Sequence, residues 1–593
     1  MKQWIKKYRV GIILTGMIVL QLCYITYVFA FQREGFHSDE AWSYQFANAN
    51  YERMICEDED GNAINEKRWQ DSQLFRNFME VQDGMQFHYD AVLYNMSTDL
   101  NPPLHSLLLH TICSFAPNTF SWWYAYIINI AAFVCAMVAL YYFARELTAS
   151  RRMALAICLF YGCTTGALYT FMYLRGYAML TVCSILLAFL HCRMYKQGFR
   201  VNYRYLAALF AVMVLGCLTH YGFFMFGFCF AAVFCLYTLC TKRWRFMVFY
   251  GLVMALSVVV VMLLWPPAAE MFAGRDTIYR AQMPLRWEIE VCLQLLIREA
   301  TGVPFQVPSA VFWAWVEAIL IYAAIFAAGI GFLLRKNSRF RALAGRVVHG
   351  IRPFFRELPG RLRRMNKFYV LCVPVCVGTL IIIADICDIY SMGIFSDRYL
   401  FFLMPVVSVL FLSAVSSLIR KCVRGRKRIA AVLFAGVLVI SLLSNHVLDT
   451  EHYLLRRQCD GTPIEELTRD ANVILVPWAN WRLAYYAPLL LDSKNFFVVR
   501  TKESMDVMEE LGALTDIDGP VYLIAESKKF RPEDYVKDES MPDGERTVAE
   551  MLTVEWKLSE LVQEYAGLGW ATRKEFIQEE QSFVGKLSIW RLR

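Results

Sequence analysis

The strongest constraint on the fold of this chain is a series of apolar stretches, each long enough to cross the hydrocarbon core of a bilayer. A spanning helix needs about 20 mostly apolar residues. We count about eleven such stretches, at residues 11–31, 122–143, 153–171, 177–194, 205–221, 223–240, 246–265, 311–334, 368–387, 399–419 and 429–447. Of all residues, 57% are hydrophobic, well above the share in an ordinary soluble domain. The sequence therefore predicts an α-helical polytopic membrane protein.

Lysine and arginine collect in alternate loops, which predicts the orientation of the helices. They precede the first stretch and follow the second, fourth, sixth, eighth and tenth. Because cytoplasmic loops are enriched in these residues, we expect a cytoplasmic amino terminus and, after an odd number of spans, an extracytoplasmic carboxyl-terminal region. The first stretch is too long for the apolar part of a signal peptide, so we interpret it as a retained anchor.

The formal net charge of +8 comes mainly from these inner loops, which suit a membrane surface. It requires no nucleic acid partner. The sequence thus predicts a multi-pass integral plasma membrane protein surrounded by membrane lipids.

Two segments outside the apolar stretches are large enough to have structure of their own. The loop at 32–121 is far longer than a simple connection, and such loops usually carry function. In 448–593, β-rich runs such as "NVILVPW" and "PVYLIAE" alternate with helix-like stretches, a pattern typical of a small α/β domain. We therefore expect a transmembrane body at 1–447 and a soluble extracytoplasmic α/β domain at 448–593. Cys56 and Cys459 both fall in outer segments, where a disulfide between them has only weak support.

Out-of-place polar residues gather at the predicted extracytoplasmic ends of the helices, in the segments "GFHSDEAW", "DLNPPLH", "YLRGYAM", "THYGF" and "FSDRYLF". They are Asp39, Glu40, Asp99, Asn101, His105, Arg175, His220, Tyr221, Asp397 and Arg398. Ionisable groups at helix ends within a bundle are costly and are candidates for function. The simpler interpretations are arginines that extend toward lipid headgroups, carboxylates that begin a solvated loop and an interfacial histidine. For Arg175 and Arg398, in short turns between apolar runs, we favour function.

Taken in order, these segments resemble the GT-C membrane glycosyltransferases, and within them the protein O-mannosyltransferase and aminoarabinose transferase branch. The resemblance rests on an outer loop that opens with Asp-Glu and closes with Pro-Pro-Leu, an "LRGYAML" turn, a "THY" helix end and a "RYLFFLMP" helix start. It covers about the first 410 residues. It implies a GT-C-like fold, a polyprenyl-phosphate-linked sugar donor, a site at the extracytoplasmic membrane surface and inverting transfer.

The same resemblance implies roles for particular residues. The family's first-loop aspartate corresponds to Asp39, with Glu40 as its neighbour. The family often has histidine before the two prolines, where this chain has Asn101, so that role is absent or passes to His105. The segment after about residue 448 matches no family pattern, so the acceptor is left open between a lipid, a glycan and a protein of the cell envelope.

The chemistry of these residues fits such a transfer. An acceptor hydroxyl must lose its proton as it attacks the anomeric carbon, which suits a carboxylate base, and we expect Asp39 to be that base. A phosphate leaving group needs charge stabilisation more than protonation. Arg175 and Arg398 are therefore expected to bind its oxygens, with His220 and Tyr221 as further donors. The candidate substrate-binding residues are Asp99, Asn101, His105 and Tyr177.

Glu40 is expected to orient a substrate hydroxyl, or to bind a metal if one is used. The acidic first loop is compatible with a divalent metal, but the chemistry requires no cofactor, so metal dependence is left open.

A transporter or flippase of a lipid-linked saccharide is the alternative, because the same arginines could recognise phosphate during translocation. Such proteins usually contain internal repeats and broken helices near the middle of the membrane, and the sequence indicates neither. Their polar residues would line both ends of a path, whereas here they gather at one end. A receptor without enzymatic activity would leave the first-loop carboxylates unexplained.

Overall fold

The computed structural model describes residues 2–51, 68–274, 284–301, 367–387, 389, 393–422, 427–448, 455, 458–459, 461–477, 482–499, 517–527, 575–582 and 585–591. The predicted stretch at 311–334, most of the basic loop that follows it and Cys56 lie outside these residues.

The described chain is mainly helical. Its α-helices are α1 Lys2–Phe31, α2 Ser38–Asn48, α3 Gln73–Met79, α4 Tyr89–Thr98, α5 Leu104–Cys113, α6 Trp122–Thr148, α7 Arg151–Gly162, α8 Thr165–Met172, α9 Tyr177–Lys196, α10 Tyr203–Thr219, α11 Gly222–Cys240, α12 Trp244–Leu264, α13 Pro267–Gly274, α14 Leu285–Thr301, α15 Lys367–Ile386, α16 Met404–Cys422, α17 Lys427–Leu448, α18 Ile464–Leu467 and α19 Leu483–Tyr486. Two 3-10 turns, Gly393–Tyr399 and Phe401–Leu403, precede α16. Helix α9 contacts both α6 and α10, so it lies inside the bundle.

Seven helices in the described residues are long and apolar enough to span a membrane, and there are eight if one bent pair counts as a single span. The seven are Arg9–Phe31, Trp122–Thr148, Tyr177–Lys196, Gly222–Cys240, Trp244–Leu264, Phe368–Ile386 and Phe401–Arg420. The predicted helical polytopic fold is confirmed. The described residues contain seven or eight candidate spans, whereas the sequence predicted about eleven over the whole chain, one of them at 311–334. Part of the difference arises because α10 has only 17 residues. A helix, α17, does cover the predicted stretch at 429–447.

The predicted stretch at 153–171 is a broken helix, a feature that the sequence did not indicate. Helices α7 and α8 meet at a bend of 64°. Inside a membrane, carbonyls released by such a break must find donors within the protein. Gln21 of α1 supplies one, since its Nε2 donates to the carbonyls of Cys158 at 3.3 Å and Leu159 at 3.2 Å. Thr164 caps α8 by accepting the Ala167 N–H at 3.2 Å, so each side of the break receives a side-chain hydrogen bond.

A mixed sheet of seven strands forms the described carboxyl-terminal region together with part of the first loop. Its order is β1-β4-β3-β5-β7-β6-β2, with β1 Gln70–Asp71, β2 Gln458–Cys459, β3 Asn472–Val476, β4 Asn495–Val498, β5 Val521–Ser527, β6 Glu575–Ser582 and β7 Gly585–Arg591. Strand β3 runs parallel to β4 and β5, and the other pairs are antiparallel. All of β3 is buried, as expected for a central strand covered on both faces. The small carboxyl-terminal α/β region is thus present, and one edge strand of its sheet comes from the first loop.

Candidate active site

The candidate site begins at the first turn of α2. His37 caps this helix, because its Nδ1 accepts the Asp39 N–H at 3.0 Å, and the Glu40 carboxylate accepts the His37 N–H at 2.8 Å. This reciprocal capping box fixes the direction in which the helix starts. Successive helical residues point about 100° apart, so Asp39 and Glu40 face different surroundings.

Glu40 faces the protein interior and is fully buried. Its Oε1 accepts the Leu174 N–H at 2.8 Å, and its Oε2 accepts the His37 N–H and forms an ion pair with Arg33. Arg33 in turn donates to the Met172 carbonyl at 2.9 Å. These contacts join the start of α2 to the end of α8. The geometry therefore favours a positioning role for Glu40 over the predicted contact with substrate or metal.

The turn between α8 and α9 carries Tyr173 and Arg175, and its backbone is held from several sides. Besides the bonds to Arg33 and Glu40, the Asn129 side chain of α6 donates to the Tyr173 carbonyl at 2.8 Å. Gly176 completes the turn. A Cβ at this position would lie 3.2 Å from the Thr219 carbonyl oxygen, so glycine permits the close approach of α10. The turn is thus fixed relative to α1, α2, α6 and α10.

Three groups from two separate segments converge on one oxygen of Asp39. The Tyr173 hydroxyl donates to Oδ2 at 2.9 Å. Arg175 Nη1 lies 3.4 Å from the same oxygen and Arg398 Nε lies 3.6 Å from it. The Asp39 side chain is 27% exposed, and Arg398 lies over the Tyr399 ring at 5.0 Å. The structure therefore brings together three of the predicted site residues, Asp39, Arg175 and Arg398, and leaves the carboxylate open to a ligand.

The charge balance at Asp39 is positive, since two guanidinium groups face one carboxylate. Burial raises the pKa of Asp39, but Arg398, Arg175 and the hydrogen bond from Tyr173 outweigh that effect and hold the pKa well below its ordinary value. His37 adds no charge while its Nδ1 accepts the Asp39 N–H, because that nitrogen then carries no proton. Asp39 is thus an ionised carboxylate at neutral pH.

A buried ion group anchors the segment that carries Arg398. Arg298 Nη1 of α14 lies 3.4 Å from Asp397 Oδ2 and 3.4 Å from Glu299 Oε1. Because the three side chains are at most 1% exposed, they form part of the interior. Asp397 therefore ties the 3-10 turn to α14, whereas its neighbour Arg398 reaches Asp39.

Two histidines and Tyr177 lie beside the arginines. His220 Nδ1 accepts the Gly222 N–H at 2.9 Å, so the proton of its neutral ring is on Nε2. The His220 ring lies 4.9 Å from that of Tyr177. Burial and the two nearby arginines lower the pKa of His220 to about 3, which keeps it neutral. His105 of α5 is buried, and its Nε2 has no hydrogen-bond partner among the described residues.

The other predicted site residues lie at the border of this cluster. The Asn101 amide donates to the Asp99 carboxylate, and Asp99 interacts electrostatically with Arg175. The Tyr221 hydroxyl donates to the Leu100 carbonyl, while its ring packs in an apolar cluster with side chains of α2, α4 and α13. This geometry favours a role for Tyr221 in holding the segment before α5 over the predicted phosphate contact.

Within the described ranges, no group of three or more His, Cys, Asp and Glu side chains is arranged to hold a metal ion. Four residues that shape the site were not predicted: His37, Tyr173, Arg33 and Asn129. Tyr173 lies in the "YLRGYAM" turn itself, so treating every hydroxyl of that turn as a candidate would have found it. Asn129 lies in the middle of an apolar stretch, where an amide is unusual and indicates a buried partner.

Solved structures similar to this one extend over nearly its full length. ArnT from Cupriavidus metallidurans bound to undecaprenyl phosphate matches with 10% identity and a TM-score of 0.43, covering 98% of each chain. Its apo state matches with 11% identity and a TM-score of 0.44, also covering 98% of each chain. The archaeal oligosaccharyltransferase AglB from Archaeoglobus fulgidus, in complex with an inhibitory peptide and a dolichol-phosphate, matches with 11% identity and a TM-score of 0.43, over 88% of this chain and 70% of that chain.

The similarity to ArnT and AglB is one of overall fold. No protein-family model matches the sequence, and no curated protein matches it either.

Proposed function

We propose that this chain is an inverting glycosyltransferase that moves a monosaccharide from a polyprenyl-phosphate carrier to an acceptor hydroxyl or amine at the extracytoplasmic membrane surface. The observation that carries the proposal is the placement of the Arg175 and Arg398 guanidinium groups within 3.4 and 3.6 Å of a single carboxylate, Asp39, that is partly open to solvent. This arrangement offers a phosphate-binding pair and a base at one point.

The donor phosphate would bind between the two guanidinium groups. Arginine presents planar N–H donors that match phosphate oxygens, and the two positive charges exceed the single charge of Asp39. The neutral His220 can add its Nε2 proton as a further donor. As the bond between the anomeric carbon and the phosphate oxygen breaks, its electron pair stays on the phosphate, where these groups stabilise the growing charge.

The acceptor would be activated by Asp39. The hydroxyl oxygen of the acceptor attacks the anomeric carbon from the face opposite the phosphate, which inverts the configuration. The hydroxyl proton passes to the Asp39 carboxylate. One base is enough because the phosphate leaves without protonation. The fully buried Glu40 does not need to touch either substrate in this scheme.

Donor binding would also strengthen the base. In the described state, Arg175 and Arg398 hold the pKa of Asp39 low, and a carboxylate with a low pKa is a weak base. A phosphate that attracts the two guanidinium groups weakens their contact with Asp39, so the pKa of the carboxylate rises when the donor is in place. Asp39 thereby becomes an effective base only beside a loaded donor.

The test is sugar transfer from radiolabelled polyprenyl-phosphate monosaccharides, including mannose and aminoarabinose carriers, into a membrane extract. Wild type is expected to transfer label from at least one donor. Asp39→Asn is expected to remain a monodisperse, folded protein and to lose transfer, because the amide cannot accept the proton. An active Asp39→Asn protein would remove the base assignment.

The broken helix α7–α8 is a feature that the transporter hypothesis also predicts, so the same donors should be tested in proteoliposomes. Flipping of labelled lipid by wild type without any transfer would replace the proposed activity with translocation.

A second experiment tests the phosphate pair through donor binding alone. Arg175→Gln and Arg398→Gln are each expected to weaken binding of a polyprenyl-phosphate sugar by about tenfold or more, since a charged hydrogen bond contributes about 1.5–3 kcal/mol. Arg204→Gln is the matched control, because Arg204 is an exposed arginine in the first turn of α10. Unchanged donor binding in both site variants would refute the pair.

A further inference from the structure

The sheet of the carboxyl-terminal region is completed by the first loop. Strand β1 pairs antiparallel with β4, with Gln70 opposite Phe496 and Asp71 opposite Asn495. Strands at the edge of a sheet present unpaired backbone groups that another segment can satisfy. Here that segment follows α2, the helix that carries Asp39, so the two regions are joined by backbone pairing and not only by side chains.

We call the contact between residues 72–75, which follow β1, and residues 493–496 the joint. Its serine and phenylalanine side chains are buried. The Ser72 N–H donates to the Lys494 carbonyl at 3.2 Å, and the Oγ atoms of Ser72 and Ser493 lie 2.6 Å apart. Phe75 of α3 packs on Phe496 with ring centroids 4.3 Å apart, and both rings are fully buried. Separating buried aromatic pairs and breaking buried hydrogen bonds both cost free energy. The contact therefore has the character of a permanent interior and not that of two surfaces that meet transiently.

The carboxyl-terminal region contacts the start of α2 directly, and the end of α2 through α3 of the first loop. At the start, Phe36 stacks on Tyr485 of α19 with ring centroids 4.6 Å apart, and Phe36 directly precedes the cap residue His37. At the end, the Asn48 side chain donates to the Met79 carbonyl, at the end of α3, at 2.8 Å. Phe36 and Tyr485 are 5% and 0% exposed, so their contact excludes water. A shift of the carboxyl-terminal region would therefore displace the helix that carries Asp39.

We propose that the carboxyl-terminal region is a permanently docked part of the catalytic unit, and that Tyr485 is a positioning residue that acts through Phe36 on α2 and hence on Asp39. The region does not swing away from the membrane body to collect an acceptor. The kinetic part of this inference rests on the proposed transferase function, whereas the docking itself does not.

The docking is tested by a disulfide across the joint. A disulfide places its sulfur atoms about 2.0 Å apart, so the 2.6 Å separation of the Ser72 and Ser493 oxygens suits a cysteine pair. The double variant Ser72→Cys/Ser493→Cys should form the bond under a mild oxidant, detected as a linked peptide by mass spectrometry. Each single variant is the control for the native cysteines. The oxidised double variant should transfer sugar within about twofold of its reduced form.

The positioning role is tested at Tyr485. Tyr485→Ala should lower kcat at least about tenfold, because small misplacements of a catalytic group are costly, with the KM for the donor within about twofold. Tyr485→Phe should restore kcat, since it keeps the ring that stacks on Phe36. Tyr203→Ala, at a tyrosine that is 66% exposed, is the matched control. Hydrogen exchange in the α2 peptide should rise in Tyr485→Ala and stay at the wild-type rate in the other two variants.

Several outcomes would overturn the inference. They are failure of the cysteine pair to oxidise, loss of transfer on oxidation with recovery on reduction, or wild-type exchange in α2 of Tyr485→Ala. If wild type transfers no sugar at all, the proposed function fails, but cross-linking and hydrogen exchange still decide the docking.

Discussion

Replacing Glu40 with alanine is expected to destabilise the protein, whereas replacing its neighbour Asp39 with asparagine is expected to leave stability close to wild type. The reason is the environment of each carboxylate. Glu40 is fully buried, accepts the N–H groups of Leu174 and His37 and pairs with Arg33. Asp39 is 27% exposed and lies 3.4 Å or more from its arginine partners.

The magnitude follows from the group left behind. The Arg33 side chain is 6% exposed, so Glu40→Ala leaves a buried charge without its carboxylate, at a cost of about 3–5 kcal/mol. The Leu174 and His37 N–H groups lose their acceptor as well. These costs overlap because the groups share one partner, so we expect about 3–5 kcal/mol in total. For Asp39→Asn we expect about 1 kcal/mol or less, since a partly exposed pair contributes little and the amide oxygen can still accept from Tyr173.

The assay is heat treatment of the purified protein in detergent, followed by measurement of the fraction that stays monodisperse. Unfolding of a large membrane protein is often irreversible, so the temperature of half-loss is compared rather than an equilibrium free energy. Glu40→Gln should fall between wild type and Glu40→Ala, because it keeps an acceptor for Leu174 but loses the charge that pairs with Arg33. The double variant Arg33→Met/Glu40→Met should recover part of the loss, since it removes both charges together.

One result would refute the positioning role of Glu40. If Glu40→Ala shows the wild-type temperature of half-loss but transfers no sugar, Glu40 acts on the substrate, and the positioning role assigned to it is wrong.

Two further predictions concern the supports of the site. Tyr173→Phe removes a hydrogen bond that lowers the pKa of Asp39. Because the proposed transfer needs the ionised carboxylate, the acid limb of the pH–rate profile should move to higher pH. An unmoved limb would show that Tyr173 does not tune the base. Gln21→Leu removes the donor to the Cys158 and Leu159 carbonyls at the α7–α8 break. We therefore expect a loss of stability of about 1–3 kcal/mol, measured as a lower temperature of half-loss. An unchanged temperature would mean that other groups satisfy these carbonyls.

The apolar helices and the gathering of Asp39, Arg175 and Arg398 could be predicted from the sequence. Both depend on local composition, which is what a bilayer selects. Helix ends on one side of a membrane must meet when the helices pack, so Asp39, Arg175 and Arg398 were predicted at one end of the bundle, and their side chains do converge. The bend between α7 and α8 could not be predicted in this way, because the mean hydropathy of a stretch does not depend on whether its helix is straight or bent.

Other features depend on contacts between distant parts of the chain. The roles of Asp39 and Glu40 separate only because the His37 cap fixes how α2 is rotated, and the partners of Glu40 at Arg33 and Leu174 come from other segments. The pairing of β1 with β4 joins residues more than 400 positions apart, and β1 has only two residues. A strand that short leaves no alternating pattern in the sequence.

The contacts around Asp39 also indicate how a donor could change its environment. The turn that presents Arg175 has its Met172 and Tyr173 carbonyls and its Leu174 N–H bonded to Arg33, Asn129 and Glu40. A phosphate therefore cannot displace this backbone without breaking buried hydrogen bonds. It can attract the guanidinium groups, because their contacts with Asp39 are 3.4 and 3.6 Å, longer than a good charged hydrogen bond of about 2.7–2.9 Å. In the proposed mechanism, the response to a donor is thus confined to the two arginine side chains, and the Asp39 carboxylate stays in place to receive the proton.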